Sequence, residues 1–174
     1  QTFISYCTRA SHGVHWGGTL IAMKLNDEVK VDEVEVSSEH FTRLRLTMEH
    51  NSFPLTSVYL PVEGNARLIS ITELDNILTS KDILGGDWNC VPNKHLDVQC
   101  TNPTTYYNIG GHELNDIMST RNIVDIRREQ LGDQHEPTRV CTTTGTATRL
   151  DRIYTPKWVN DSEMHLTFQI DRKA

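Results

Sequence analysis

The chain has 174 residues, of which 37% are hydrophobic and 23% are charged, so its composition suits one folded domain rather than a disordered chain. Its apolar stretches are too short to span a bilayer, and no signal or transit peptide is recognisable. The net charge of −6 argues against a protein that holds nucleic acid through a broad basic surface, but it leaves room for carboxylates that hold a divalent cation.

The first part of the chain is dominated by strand patterns, whereas residues 1–12 show no clear period. The valines of residues 29–36 change parity between Val31 and Val34, which predicts a bulge or bend there. Asn51 and Ser52 predict a turn between two strands. The predicted strands of this part are residues 17–25, 29–36, 41–48 and 55–60.

Helices and strands mix in the rest of the chain. Asn65 is the predicted N-cap of a helix that ends near Leu78, and residues 111–121 predict a second helix. The short connections favour antiparallel neighbours, so we expect an α/β fold with mixed or antiparallel sheets. The remaining predicted elements are strands at residues 82–86, 124–127, 149–154 and 164–170 and long polar loops at residues 90–110 and 129–148.

The four cysteines Cys7, Cys90, Cys100 and Cys141 contain no C-x-x-C pair and are irregularly spaced. This pattern favours reduced, mostly structural thiols of an intracellular protein over zinc ligands, and it leaves a disulfide open.

The sequence LGGDWN at residues 84–89 is the strongest candidate for chemistry. In an extended backbone, residues two apart face the same way, so Asp87 and Asn89 would point into one cleft. A carboxylate there can accept a proton from water, and an amide can donate to a phosphate oxygen. The alternative interpretation is a strand that ends in an Asx turn.

Two further segments carry candidate residues. Asp151 interrupts the strand-like sequence RLDRIY at residues 149–154, where it could orient a catalytic histidine or simply form an ion pair with Arg149 or Arg152. Tyr59 ends a predicted strand before a proline, which is the usual place of a half-buried core residue.

Together, the segments GGTLI (17–21), YLP (59–61), GGDWN (85–89) and RLDRIY (149–154) resemble, in order and spacing, the endonuclease/exonuclease/phosphatase family. The resemblance covers residues 13–166 and is closest to the apurinic-like endonuclease branch of non-LTR retrotransposons. It implies that residues 1–174 form a single domain, a four-layer α/β sandwich of mixed, largely antiparallel sheets. It also implies cleavage of phosphodiester bonds in DNA with Mg²⁺ or Mn²⁺.

The resemblance assigns a role to each candidate. Asp87 would activate or position the attacking water and would contact the metal only indirectly or at a second site. Asn89 would contact the scissile phosphate and hold the site together. Tyr59 would hydrogen-bond the phosphate, and Asp151 would orient a histidine.

The family's first strands, which carry the main glutamate ligand of the metal, have no counterpart here, because residues 1–16 contain no acidic residue. The family's final Ser-Asp-His element is also missing. His165 is a candidate substitute for its histidine, but its place on a predicted strand favours an ordinary histidine on the face of that strand. We therefore expect a fold that is incomplete at both ends.

Three functions are compatible with these features. The first is a Mg²⁺-dependent endonuclease domain, truncated or degenerate in this chain. The second is an inactive, domesticated remnant that serves as a structural or binding module, with a protein or RNA partner covering the missing strands. The third is a sugar- or lipid-phosphate phosphatase of the same fold. Each would act inside the cell, in the nucleus or the cytoplasm, without a membrane partner.

Overall fold

A computed structural model describes residues 3–8, 18–24, 28–48, 50–100 and 108–161. The helices are α1 Gly64–Ile77, α2 Lys94–Asp97, α3 Gly111–Thr120, α4 Ile126–Leu131 and α5 Lys157–Asp161. The strands are β1 Phe3–Cys7, β2 Leu20–Lys24, β3 Val29–Ser37, β4 Phe41–Met48, β5 Asn51–Tyr59, β6 Ile83–Asp87, β7 Val98–Gln99, β8 Ile123–Asp125, β9 Arg139–Val140, β10 Ala147–Thr148 and β11 Asp151–Pro156.

A six-stranded sheet with the order β3-β4-β5-β6-β11-β8 forms the centre of the described structure. All of its neighbouring strands are antiparallel except β5 and β6, which are parallel. Two smaller antiparallel sheets, β1-β2 and β7-β10-β9, accompany it. This arrangement confirms the predicted α/β fold of mixed, largely antiparallel sheets.

The central sheet is covered on both faces. Helices α1 and α3 pack on one face around Leu74, Leu84 and Leu114, all fully buried. The β1-β2 hairpin packs on the other face, where Ile21 contacts the cluster of Leu44 and Leu46. Each of these buried leucines contributes roughly 1.5–3 kcal/mol, so the two apolar layers hold the sheet between them.

The strand predictions are largely confirmed, with local corrections. Strand β3 has a register shift between Val31 and Glu33, where the change of parity predicted a bulge, and a second shift between Val34 and Val36 that was not predicted. The predicted turn at Asn51 and Ser52 is wrong, because both residues belong to β5 and pair with β4. The N-terminal strand β1 was not predicted.

The helix predictions also needed correction at their ends. The N-cap of α1 is Glu63 rather than Asn65, because the Glu63 carboxylate accepts the N–H groups of Asn65 and Ala66 at 3.0 and 2.6 Å. The predicted loops contain α2 and β7 in one case and part of α4, β9 and β10 in the other. The predicted strand at residues 164–170, with His165, lies outside the described residues.

Among the described residues, no helix is both long enough and apolar enough to cross a membrane.

Candidate active site

Three of the four candidate residues lie side by side across the central sheet. Tyr59 is the last residue of β5, Asp87 is the last of β6, and Asp151 is the first of β11. Asp87 is in register with Tyr59 on one side and with Asp151 on the other. Directly opposed side chains share a face, with Cβ atoms about 4.5–5.5 Å apart in an antiparallel pair. All three are partly exposed, so the row is open to a ligand.

Asn89 joins this row through a turn. Its backbone is in the left-handed region, with φ 46°, and its N–H donates to Asp87 Oδ1 at 2.9 Å. Its side-chain Nδ2 donates to the carbonyl of Leu60 at 2.8 Å. The explanation from an extended backbone was therefore wrong, because an Asx turn places Asn89 beside Asp87. The Asx turn is therefore not an alternative to the candidate site, because the turn itself brings Asp87 and Asn89 together.

Trp88 anchors this turn in the hydrophobic core. Its side chain is fully buried, and its ring stands edge-on to Tyr154 with ring centroids 5.0 Å apart. The indole N–H donates to the Arg152 carbonyl at 3.3 Å, and the backbone N–H donates to the Leu150 carbonyl at 3.1 Å. These contacts fix the backbone of Asp87 and Asn89, on either side of Trp88, relative to β11.

The residue before Asp87, Gly86, must be glycine because there is no room for a side chain. A Cβ at this position would lie 1.8 Å from the Val58 carbonyl oxygen, and the φ of +153° is one that other residues rarely adopt. Glycine therefore lets β6 approach β5 closely enough to pair, which brings Tyr59 next to Asp87.

The electrostatics of the row centre on Asp87. Burial raises the pKa of this carboxyl, and the neighbouring charge of Asp151 raises it further, while the Asn89 N–H and the charges of Arg139 and Arg67 act in the opposite direction. The net effect is a raised pKa. Two carboxylates on adjacent strands repel each other, so a cation or a proton between them is stabilising.

Asp151 does not form the ion pair that the sequence left open. In the described part of the chain its carboxylate has no ion-pair partner, and its backbone N–H donates to Thr138 Oγ1 at 3.0 Å. Its neighbours Arg149 and Arg152 turn to the far side of the strand and bind other carboxylates. The Asp151 side chain is therefore available to a ligand or another catalytic group.

Those other carboxylates belong to a buried ion cluster, which sequence reasoning missed. Asp97 accepts from Arg149 at 3.0 Å and from Arg152 at 3.1 Å, and Asp125 accepts both guanidinium Nη atoms of Arg149 at 3.1 and 2.7 Å. Arg128 donates to Asp97 at 2.7 Å. The cluster ties α2, β8 and α4 to the start of β11 and so supports the position of Asp151.

Two other residues near the site were not predicted. Thr138 accepts the N–H groups of both Leu150 and Asp151 at 3.0 Å, which fixes the start of β11. Arg67 reaches from α1 to the carbonyl of Asn89. Neither residue lies in a motif, and the only sequence signal would have been a basic residue among the apolar positions of a helix.

The site fits a Mg²⁺ ion that keeps most of its water. No group of three or more His, Cys, Asp or Glu side chains is placed to hold a metal among the described residues. Magnesium needs only one or two carboxylates when waters and substrate phosphates complete its coordination. Asp87 and Asp151 lie in register and supply two carboxylates. Among the described residues no histidine forms an ion pair with Asp151, and the histidine ion pairs found there join His40 to Glu39 and His112 to Asp116.

No protein-family model and no curated protein matches the sequence. Solved structures do match. The endonuclease domain of TRAS1, a telomere-specific non-LTR retrotransposon, superposes with a TM-score of 0.64 and 13% identity, over 91% of this chain and 69% of that domain. The human Nocturnin catalytic domain with bound sulfate has a TM-score of 0.54 and 13% identity, and the match covers 89% of this chain and 61% of the Nocturnin chain.

A third match is TDP2 from D. rerio in complex with a single-strand DNA product, with a TM-score of 0.54 and 14% identity, over 87% of this chain. This chain spans 61% of the length of that TDP2 structure, the same fraction as for Nocturnin. At these identities the likeness shows the fold alone, and the three structures share the fold of this chain.

Proposed function

We propose that this chain is a divalent-metal-dependent phosphodiesterase domain that cleaves DNA internally, of the type found in retrotransposon endonucleases. The observation that carries the proposal is the registered row of Tyr59, Asp87 and Asp151, with Asn89 held beside it by the Asx turn. The structures of an endonuclease domain and of a protein with a DNA product, both of the same fold, support nucleic acid as the substrate class.

In this mechanism Asp87 acts as the general base. Its raised pKa, caused first by burial and then by Asp151, suits a carboxylate that takes a proton from water. As that proton moves to the Asp87 carboxylate, the water oxygen forms a bond to phosphorus and the bond to the leaving oxygen breaks. Asp151 has no arginine partner among the described residues, so it is free to orient a histidine that protonates the leaving oxygen.

Two neutral donors stabilise the charge on the phosphate. Asn89 uses one amide hydrogen on the Leu60 carbonyl and keeps the other for a phosphoryl oxygen. Tyr59 ends β5 next to Asp87, where its hydroxyl can donate to the same phosphate. Each donor of this kind is worth about 2.7–4 kcal/mol in the transition state. Asp87 and Asp151 would hold Mg²⁺, and the ion when bound would supply positive charge for the phosphoryl oxygens.

The test is nicking of supercoiled plasmid with Mg²⁺, because a closed circle has no ends and reports internal cleavage alone. We expect Asp87→Asn to lower the nicking rate by roughly 10²–10⁴-fold and EDTA to abolish it. Asp116→Asn is the matched control, since Asp116 is an exposed residue of α3 that pairs with His112. This control should nick as the unchanged chain does.

Two results would contradict the proposal. Equal rates for the unchanged chain and Asp87→Asn would remove Asp87 from the chemistry. If the folded chain shows no Mg²⁺-dependent nicking, the inactive remnant becomes the favoured hypothesis. The next experiment would then be a search for binding to a protein or RNA partner.

A further inference from the structure

A buried arginine lies directly beneath the proposed site. Arg67, in the first turns of α1, is only 5% exposed. Its Nη2 donates to the Val62 carbonyl at 2.6 Å, and its Nη1 donates to the Asn89 carbonyl. One guanidinium group thus bridges the segment that follows β5 and the turn that follows β6 and contains Asn89.

The atom that Arg67 holds belongs to the most constrained residue of the site. Asn89 is one of two non-glycine residues with positive φ among those described, and such a backbone needs support from its surroundings. Its N–H is held by Asp87 and its side-chain amide by Leu60. The Asn89 carbonyl is the third group, and Arg67 is its donor.

Arg67 also differs from Arg121, another arginine that donates to backbone carbonyls of a distant segment. Arg121 donates to the carbonyls of Leu78 and Asp75 at 3.2 and 2.8 Å and forms an ion pair with the Asp75 carboxylate at 2.6 Å. Arg67 has no carboxylate partner in the described part of the chain, and its Nε has no hydrogen-bond partner there. The Arg67 guanidinium is thus compensated by two backbone carbonyls rather than by an ion pair.

We propose that Arg67 is a positioning residue that holds Asn89 in its left-handed conformation, so that the free amide hydrogen of Asn89 points to the substrate phosphate. The inference rests on the proposed function for its catalytic consequence, while its structural part stands on the geometry of Arg67 and Asn89. Lysine could not replace it fully, because one ammonium group lacks the planar fork that reaches two carbonyls at once.

The first measurement is NMR of the chain with Arg67→Gln, Arg67→Lys and Arg121→Gln. The Asn89 three-bond HN–Hα coupling and Cα shift report its φ without any need for activity. We expect Arg67→Gln to move both away from left-handed values, Arg67→Lys to move them partly, and Arg121→Gln to leave them unchanged. Asn89 values that stay the same in Arg67→Gln would overturn the proposal.

The second measurement is a double-mutant cycle on plasmid nicking. Arg67→Gln should lower kcat by about 10–100-fold with little change in KM, since a small misplacement of a catalytic group has that effect. In the Asn89→Ala background the same change should cost less than about twofold, because its target is already gone. Arg121→Gln should instead have the same small effect in both backgrounds.

The outcomes separate this inference from the proposed function. Multiplicative losses for Arg67→Gln and Asn89→Ala would show that Arg67 acts through the fold in general and would overturn the inference. If the chain of native sequence does not nick plasmid, the proposed function is wrong. The NMR comparison would still decide whether Arg67 holds Asn89. If Arg67→Gln does not fold, Arg67→Lys supplies both measurements, with the same expected directions.

Discussion

The buried ion cluster gives the strongest stability prediction, through the substitution Asp97→Asn. The Asp97 side chain is 2% exposed and accepts hydrogen bonds from Arg128, Arg149 and Arg152 at 2.7, 3.0 and 3.1 Å. The substitution leaves Arg149 and Arg152 with the Asp125 carboxylate alone, and it leaves the Arg128 guanidinium without an ion pair among the described residues. Removal of one partner from a buried ion pair typically costs about 3–5 kcal/mol, and we expect a loss of free energy of unfolding in that range.

Urea unfolding at pH 7, followed by circular dichroism, measures this loss. Asp75→Asn is the matched control, because Asp75 pairs with Arg121 at 2.6 Å but is 42% exposed. An exposed pair contributes about 0–1 kcal/mol, so the control should unfold almost as the unchanged chain does. A loss below about 1 kcal/mol for Asp97→Asn would refute the reasoning, since the buried guanidinium groups would then not need the Asp97 carboxylate to neutralise them.

The same substitution predicts a pH dependence. Burial alone raises the pKa of Asp97, but the charges of Arg152 and Arg149 and the hydrogen bond from Arg128 outweigh it, and the net shift is downward. A carboxyl whose folded pKa lies below its unfolded value, about 3.9, contributes stability above that value and loses it as pH falls through the folded pKa. The difference between the unchanged chain and Asp97→Asn should therefore shrink below about pH 4.

Two further predictions concern the glycine pair and the thiols. Gly86→Ala should destabilise the fold by about 1–3 kcal/mol or more, because its Cβ would lie 1.8 Å from the Val58 carbonyl oxygen, whereas a Cβ at Gly85 meets only a side-chain carbon at 3.7 Å. Thermal unfolding of both alanine variants checks this, and equal midpoints would contradict it. In the native chain Cys90 should resist iodoacetamide at pH 8, because it is fully buried and burial raises its pKa to about 11. Cys141, whose pKa is lowered first by a hydrogen bond from Thr144, should react much faster in a mass-spectrometric time course.

Local patterns predicted the parts of this fold that depend on near neighbours along the chain. The alternation of residues 41–48 predicts β4 correctly, because successive side chains of a strand point to opposite faces of its sheet. The parity change between Val31 and Val34 predicts the irregular pairing of β3 for the same reason. The helix end at Glu63 was missed, since glutamate is not among the preferred N-cap residues.

The candidate residues could be named from the sequence, but their arrangement could not. Tyr59, Asp87 and Asp151 form a row only because β5 and β11 pair on opposite sides of β6 in one register. Asp87 and Asn89 were placed together for the wrong reason, since the Asx turn and the positive φ of Asn89 replace the extended backbone.

The charged residues show the limit most clearly. The sequence offered Arg149 and Arg152 as partners of the adjacent Asp151, whereas the fold pairs Arg149 with Asp97, 52 residues away, and leaves the Asp151 carboxylate without an ion pair among the described residues. The sequence by itself determined most of the strands and the two longest helices and named the candidate side chains, because periodicity and motifs are local. The tertiary structure alone decided which charges are neutralised and which remain available at the site, because burial and pairing depend on segments that meet only when the sheet closes.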